Sequence, residues 1–375
     1  MIPFNLPYLT GHEQENIAKV FANRKLAGDG EFTKKCHEWF EKEYGFNKAL
    51  LTTSCTDALE MCALLLKIKE GDEVILPSYT FVSTANAFAL RGATLKFADS
   101  QISNPNIDPK EIERLITSRT RAIVVVHYAG IACDMDQILA LAEKNNIPVI
   151  EDAAQAIDSY HNGRPLGSLG ALSTFSFHET KNITCGEGGL LAINDQQYIT
   201  RAEIIREKGT NRSSFFRGEI DKYGWVDVGS SFLPSDILAA FLYAQLKSIE
   251  NIQKKRRRVW SRYAINLSDM AKQNCFALPA IPSYASNNAH MFYLVCNSLK
   301  QRTELIDCLK SNNIMAVFHY ISLHKSPYFA SQEKVEKLSN SDNYTDCLVR
   351  LPLYADLKNH QVDKICEIIK KVYVK

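Results

Sequence analysis

The sequence predicts an α/β protein: a large domain built on a mostly parallel sheet, followed by a smaller α+β domain. Three observations carry this prediction. Short β-rich runs alternate with helical stretches through the first half of the chain. The runs are apolar at successive positions rather than at every second one, and the texture changes after about Pro234. Strands that are apolar throughout belong to a sheet covered on both faces.

The elements follow in order. Ala49-Leu50-Leu51-Thr52 leads into a helix from about Thr56 to Ile68, and Glu73-Val74-Ile75-Leu76 into one around Ser83 to Arg91. Thr94-Leu95-Lys96-Phe97 precedes a helix near Pro109 to Ile116, and Ala122 to Val126 precedes one near Met135 to Asn145. Pro148-Val149-Ile150-Glu151 closes the series. Asp236 to Leu267 reads as one long helix or two in series. Strands are expected near Met291 to Cys296 and Met315 to Tyr320, with helices near Thr303 to Asn312 and Gln361 to Val372. The boundary falls near 246, giving a large domain over 1–246 and a small one over 247–375.

At 375 residues the chain is long enough for two or three structural units. It is 46% hydrophobic and 23% charged, which excludes large-scale disorder. Lys plus Arg number 44 against 42 Asp plus Glu. That balance argues against nucleic acid or an acidic membrane as the partner. The first residues lack a basic segment followed by an apolar run, so no secretory signal is expected. Val74 to Leu90 is uncharged but too short and polar to cross a bilayer. The ten cysteines form no C-x-x-C pair, and no metal site is expected. The expectation is a cytoplasmic protein with no membrane insertion. Lys254 to Arg258 is a basic run, but five consecutive residues wrap all sides of a helix, so a solvated helix is expected.

Three segments carry chemistry. Ser54-Cys55-Thr56-Asp57 stands at a strand-to-helix junction, with Ser54 as N-cap and Asp57 at the third helical position. The free N–H groups of such a helix bind phosphate without a Walker motif. Val149-Ile150-Glu151-Asp152-Ala153-Ala154-Gln155 ends a buried strand in acidic residues, placing a carboxylate at the ligand-binding edge of the sheet. Ser173 to Asn182 brings Lys181 between an apolar strand and the glycine-rich Gly186-Glu187-Gly188-Gly189. Burial lowers an amine's pKa and makes it a nucleophile. Each segment alone has a bland reading as a cap, a helix start or a surface lysine. Together they supply what pyridoxal 5′-phosphate (PLP) requires: an amine for its aldehyde, a carboxylate for its ring nitrogen, and donors for its phosphate. The glycine cluster lacks the G-x-G-x-x-G spacing of a dinucleotide site.

These residues resemble the DegT/DnrJ/StrS sugar aminotransferases, which are fold type I PLP-dependent transferases. The resemblance spans nearly the whole chain. It includes Gly28 to Thr33, Pro77 to Thr84, His127-Tyr128-Ala129-Gly130, Glu151 to Gln155, Ser176 to Asn182 and His319-Tyr320. It implies that Lys181 holds the cofactor covalently and shuttles the proton. Asp152 would pair with the ring nitrogen, Gln155 would lie near the phenolic oxygen, and Phe81 would stack on the ring. Cys55, Thr56 and Ser176 would bind the phosphate. Relatives reach across a homodimer to the phosphate with an Asn, where this chain has Ser231 in Gly229-Ser230-Ser231-Phe232. His319 and His324 are the implied substrate-facing pair. Lys208 or Arg212 would meet a diphosphate or the donor carboxylate. His178 is expected to serve packing.

Ile205 to Arg212 and Asn288 to Tyr293 direct the resemblance to members that aminate a deoxyhexose for surface polysaccharides, O-antigen and enterobacterial common antigen among them. The implied reaction moves the amino group of L-glutamate to C4 of dTDP-4-dehydro-6-deoxyglucose, giving dTDP-4-amino-4,6-dideoxygalactose. The gluco epimer is the alternative product. A sugar dehydratase of this fold would carry His in place of Lys181. A non-catalytic regulator that senses PLP or a sugar nucleotide would carry a winged-helix domain before a match that here begins almost at Met1. A purely structural nucleotide-sugar binder would leave Asp152 and Lys181 without purpose.

Overall fold

The computed structural model describes residues 1–331 and 336–373. Two helices that the sequence pattern did not single out, α1 (Glu13–Asn23) and α2 (Glu31–Tyr44), precede the alternating series. Next come β1 (Lys48–Thr52), α3 (Cys55–Leu65), β2 (Glu73–Pro77), α4 (Val82–Ala89), β3 (Thr94–Ala98) and α5 (Pro109–Leu115). The series continues with β4 (Thr120–Val126), α6 (Met135–Lys144) and β5 (Val149–Asp152). Polar residues start these helices: Ser54, Asp108 and Asp134 each accept a backbone N–H of the following turn, and Pro109 fills the first turn of α5.

A small hairpin, β6 (Tyr160–His161) and β7 (Arg164–Pro165), leads to β8 (Leu172–Ser176) and β9 (Gly189–Ile193). The seven-stranded sheet has the order β1-β9-β8-β5-β4-β2-β3. Only β9 runs against its neighbours, pairing antiparallel with both β1 and β8. Alternate residues of β4 serve opposite faces: Ala122 and Val124 join one buried cluster, Ile123 and Val125 another. Both faces are covered, which is why the strands read as unbroken apolar runs.

Beyond the sheet lie α7 (Ile199–Arg206), α8 (Arg212–Phe216), α9 (Asp236–Lys247) and α10 (Ile249–Lys272). The long helical stretch is therefore two helices in series, broken at Ser248. A second, three-stranded antiparallel sheet of β10 (Phe276–Ala277), β11 (Phe292–Cys296) and β12 follows, in that order. Helices α11 (Leu299–Ser311), α12 (Pro327–Ala330) and α13 (Ser339–Cys347) come before β12 (Leu348–Leu351), and α14 (Asn359–Tyr373) comes after it. Ile2 packs into this C-terminal core beside Ile314 and pairs with it in a single bridge.

Two expectations are corrected. Met315 to Tyr320 is not a strand; it makes one bridge, Val317 to Arg350, and otherwise runs irregularly along the cavity. The basic run is not simply solvated. Arg256 is buried and donates to the carbonyls of Ala289 and His290, because α10 packs that face against the 287–291 segment. Among the described residues no helix is long and apolar enough to cross a membrane.

Candidate active site

The carboxyl ends of the parallel strands converge on one cavity of about 810 Å³. Its lining includes Cys55, Thr56, Phe81, Asp152, Gln155, Ser176, Lys181 and His319. A sheet whose strands point the same way opens its ligand crevice at that edge.

One end of the cavity is formed by the start of α3. Ser54 Oγ accepts the Asp57 N–H at 3.1 Å, fixing the first turn, and Thr56 Oγ1 donates to Ser83 Oγ at 2.8 Å. Gly189 passes so close that an added Cβ would lie 2.4 Å from the Cys55 nitrogen. Only glycine allows β9 to approach the helix start in this way.

Asp152 closes β5 and is buried. Its Oδ2 accepts from Thr84 Oγ1 at 2.8 Å and its Oδ1 from the Ala154 N–H at 3.2 Å. Thr84 spends its single proton there, so Thr80 donates to Thr84 at 3.0 Å. Burial pushes the Asp152 carboxyl up, with Thr84, Ala154 and the Lys181 charge pulling the other way. The second lone pairs of both oxygens remain for a cationic donor in the cavity.

Lys181 lies in the turn after β8, its N–H on the His178 carbonyl at 2.9 Å. Burial lowers its amine below the usual lysine range, and the charge of Arg350 adds to that; Cys55 and Asp152 oppose it. The next residue fixes its position. Asn182 is buried and donates to Gln253 Oε1 and to the Asn288 carbonyl, both at 2.9 Å. Its Oδ1 therefore accepts from His290 Nδ1 at 2.8 Å, which leaves the His290 Nε2 as a lone-pair acceptor. Burial, then the charges of Lys181, Arg256 and Arg350, hold that imidazole neutral.

Gln155 accepts the Ala129 N–H at 2.6 Å and donates to the Tyr320 hydroxyl at 3.0 Å. Tyr320 lies stacked on His319, ring centres 3.5 Å apart, and His319 Nδ1 meets the Tyr128 hydroxyl at 2.6 Å. Phe81, the residue before α4, is more than half exposed at the mouth, its ring 6.2 Å from that of Tyr320.

Beneath this edge Glu151, the neighbour of Asp152, is wholly buried. Its carboxylate accepts the Gly167, Leu169 and Gly170 N–H groups and His127 Nε2 at 2.6–2.9 Å. The Cys133 N–H donates to His127 Nδ1 at 3.1 Å, which leaves Nε2–H as the donor to the carboxylate. Burial raises the carboxyl, but the His127 hydrogen bond and the glycine N–H groups outweigh it and hold the group below its ordinary value. This stabilisation is complete above the ordinary carboxylate range and is lost as pH falls through the folded value. Glu151→Gln is expected to cost about 3 kcal/mol, since the amide nitrogen faces donors in place of an acceptor. Denaturant midpoints recorded from pH 3 to 7 check this: the wild type should lose stability on acidification, with a shallower slope in the variant.

Several expected residues stand elsewhere. His324 does not line the cavity; it is buried, with Nδ1 on Ser78 Oγ at 2.7 Å and Nε2 facing Asp342 at 3.5 Å. Burial is the main cause that lowers its pKa. Ser231 bridges to Glu207, and Lys208 and Arg212 each lie within 4 Å of the Glu207 carboxylate, all three outside the chain's own cavity. His178 does reach the wall, bonded to Thr180 Oγ1 at 2.9 Å. Sequence reading missed Thr84, Asn182, His290 and Arg350. For Arg350 a signal existed: a lone cation inside the apolar run Leu348 to Leu353.

The donor set fits PLP. The cavity offers a helix start, which suits a phosphate, a buried carboxylate with spare lone pairs, which suits a protonated ring nitrogen, and a desolvated amine, which suits an aldehyde. Comparison with known proteins gives concordant findings. The model of the DegT/DnrJ/EryC1/StrS aminotransferase family matches residues 7–370. The spore coat polysaccharide biosynthesis protein SpsC of Bacillus subtilis is 31% identical, over 99% of this chain and 97% of that one. GDP-perosamine synthase of Escherichia coli O157:H7 is 31% identical, over 99% and 98%. Spr1654 of Streptococcus pneumoniae, a candidate sugar aminotransferase solved in its PLP-form, superposes with a TM-score of 0.90 at 25% identity, over 99% and 98%.

Proposed function

The chain belongs to the DegT/DnrJ/EryC1/StrS aminotransferase family and uses PLP, and from that premise we propose that it aminates C4 of a nucleotide-linked 4-dehydro-6-deoxyhexose. The donor in this reading is L-glutamate and the acceptor dTDP-4-dehydro-6-deoxyglucose. The products are 2-oxoglutarate and dTDP-4-amino-4,6-dideoxygalactose, an intermediate for surface polysaccharide of the enterobacterial common antigen kind. The observation that carries the reading is the single cavity holding both Asp152 and Lys181. The names of two relatives, a polysaccharide biosynthesis protein and a GDP-perosamine synthase, support a sugar-linked product.

PLP, when bound, supplies an aldehyde to take up an amine and a protonated ring to accept the electron pair left on the donor carbon. The protein's own groups do the rest. Asp152, held by Thr84 and Ala154, keeps the proton on the ring nitrogen through a charge-assisted bond worth about 1.5–3 kcal/mol. Lys181, desolvated and therefore poised to lose its proton, serves as the amine that holds the cofactor. Once displaced, it is the base that moves one proton away from the donor carbon. Both half-reactions need that transfer, so one side chain acts as base and then as acid. Cys55, Thr56 and Ser176 hold the phosphate. Gln155, tied to Ala129, presents a fixed amide toward the ring substituents. Phe81 covers the mouth against water.

We place the complete site in a homodimer in the cytoplasm. Ser231, Lys208 and Arg212 lie outside the chain's own cavity and serve the partner's. The 1–246 unit carries the cofactor, and the 247–375 unit contributes the facing wall.

Incubation with dTDP-4-dehydro-6-deoxyglucose, PLP and glutamate, with the GDP-linked ketosugar in parallel, tests the assignment. Small H3–H4 and H4–H5 proton couplings in the dTDP product mean an axial amine and the galacto sugar. Large couplings mean the gluco epimer, and turnover of the GDP sugar alone overturns the choice of nucleotide.

A further inference from the structure

The reaction just proposed frees Lys181 from the cofactor, and a freed lysine needs holding. Its stem is long and flexible, whereas a base that moves a proton between two fixed points must itself be fixed. Once it has taken the proton it is an ammonium with three N–H donors, inside a cavity that desolvates it. Two carboxylates line that cavity. Asp152 already accepts from Thr84 and Ala154 and is committed to the ring nitrogen, and Glu187 is exposed, 3.6 Å from His178. The Gln155 carbonyl oxygen is taken by the Ala129 N–H.

His290 offers what these groups do not. It lines the cavity just before β11, and its surroundings dictate its tautomer. Both amide hydrogens of Asn182 are committed, to Gln253 and to the Asn288 carbonyl, so Asn182 can only accept from His290 Nδ1. The backbone is held as firmly. Asn288 donates to the Gln155 and Ile157 carbonyls at 2.8 Å, and Arg256 donates to the carbonyls of Ala289 and His290. The ring so fixed keeps an Nε2 lone pair with no partner among the described residues. It is also close to the lysine. Asn182 follows Lys181 in the chain, and the Lys181 charge acts on His290 more strongly than that of Arg256, which is bonded to the His290 carbonyl. Arg350 is the third cation facing the ring, while Cys55, Asp152 and Arg350 face the lysine amine. Burial and these cations keep the imidazole neutral, so it does not compete with Lys181 for the proton. It can only accept a hydrogen bond.

We propose that His290 is the positioning residue of Lys181: when the lysine is displaced from the cofactor, Nε2 accepts one of its N–H groups and aims the nitrogen at the carbon that gives up its proton. The proton stays on the lysine throughout, and His290 forms no covalent bond. This rests on the reading that Lys181 holds the cofactor and carries the proton.

The test separates the two ends of the imidazole. His290→Asn keeps a donor for Asn182 where Nδ1 stands and removes the acceptor. His290→Gln keeps an acceptor where Nε2 stands and removes that donor. Each is loaded with pyridoxamine 5′-phosphate, the amine form of the cofactor, which leaves every lysine free. Competitive acetylation over a pH series, read by mass spectrometry on the peptide holding Lys181, gives the pKa of its amine. The lost hydrogen bond favours the ammonium, so that pKa should lie about one pH unit lower in His290→Asn, a tenfold change. In His290→Gln it should stay within about threefold of wild type. In single turnovers His290→Asn should slow the reaction of the PLP form with glutamate and of the amine form with the ketosugar alike, each by about 10–100-fold, with apparent substrate affinity within a few-fold. His290→Gln should restore about tenfold of both. An unaltered Lys181 pKa in His290→Asn overturns the proposal. So does a loss confined to the ketosugar, which would give the lone pair to a sugar hydroxyl, and so does an equal loss in both variants, which would make the ring only a prop for Asn182. If borohydride reduction places the cofactor on another lysine, the reading of Lys181 is what fails, and the acetylation pKa still decides whether His290 holds its amine.

Discussion

Lys181→Ala is expected to abolish turnover, with a loss of at least about 10⁴-fold, because one substitution removes both the covalent holder of the cofactor and the proton carrier. The structure argues against rescue by a neighbour. Two imidazoles of the cavity, His290 and His319, are engaged at Nδ1 by Asn182 and Tyr128 and are held neutral by burial. They cannot replace an amine on the cofactor. The variant should fold, since Lys181 has no side-chain hydrogen bond or ion pair among the described residues and relief of a desolvated amine favours the native state. A thermal midpoint of the cofactor-free protein at or above that of the wild type, together with loss of the cofactor's long-wavelength band, is the expected pair of results. Unaltered turnover would remove Lys181 from the reaction.

Asp152→Asn should lower turnover by about 10²–10³-fold, the usual scale for losing one pre-aligned charge stabiliser in a water-excluded site. The amide keeps the shape and can still meet Thr84 and Ala154, so the fold survives. What it lacks is the negative charge that keeps a ring nitrogen protonated. The effect should fall on proton removal rather than on binding: kcat drops while KM for glutamate stays within a few-fold. A variant that lost glutamate affinity at unchanged kcat would move Asp152 from the ring to the donor.

Much of this arrangement was legible in the sequence because it depends on local order. Ser54 with Asp57, the acidic end of β5 and the lysine after β8 are short segments whose chemistry is written where it is used. A parallel sheet brings the ends of such segments to one edge whatever the details of packing. The buried alternation of β4 likewise follows from its residues alone. What escaped the reading depends on distant partners. Arg350 becomes part of the cavity only because β12 lies against the irregular Val317 to Tyr320 stretch, which sequence took for a strand. Asn182 owes its importance to Gln253 and Asn288, more than seventy residues away. His324 looked substrate-facing from its loop, but Ser78 and Asp342 hold it inside. Helix α1 was overlooked because its apolar face is narrow, with only Glu13 and Val20 buried; α2 did carry a signal, since Phe32, Cys36, Phe40 and Tyr44 recur every fourth residue on its buried face.

The central claim is that one amine in this cavity, and no other, bonds to the cofactor aldehyde opposite Asp152. Borohydride reduction of the PLP-loaded protein, followed by proteolysis and mass spectrometry, tests it most directly. The account predicts a single pyridoxyl-modified peptide spanning Glu179 to Asn182, with the added mass on Lys181. Label on Lys208 or on another lysine, or a protein that binds PLP and carries no label after reduction, would contradict it.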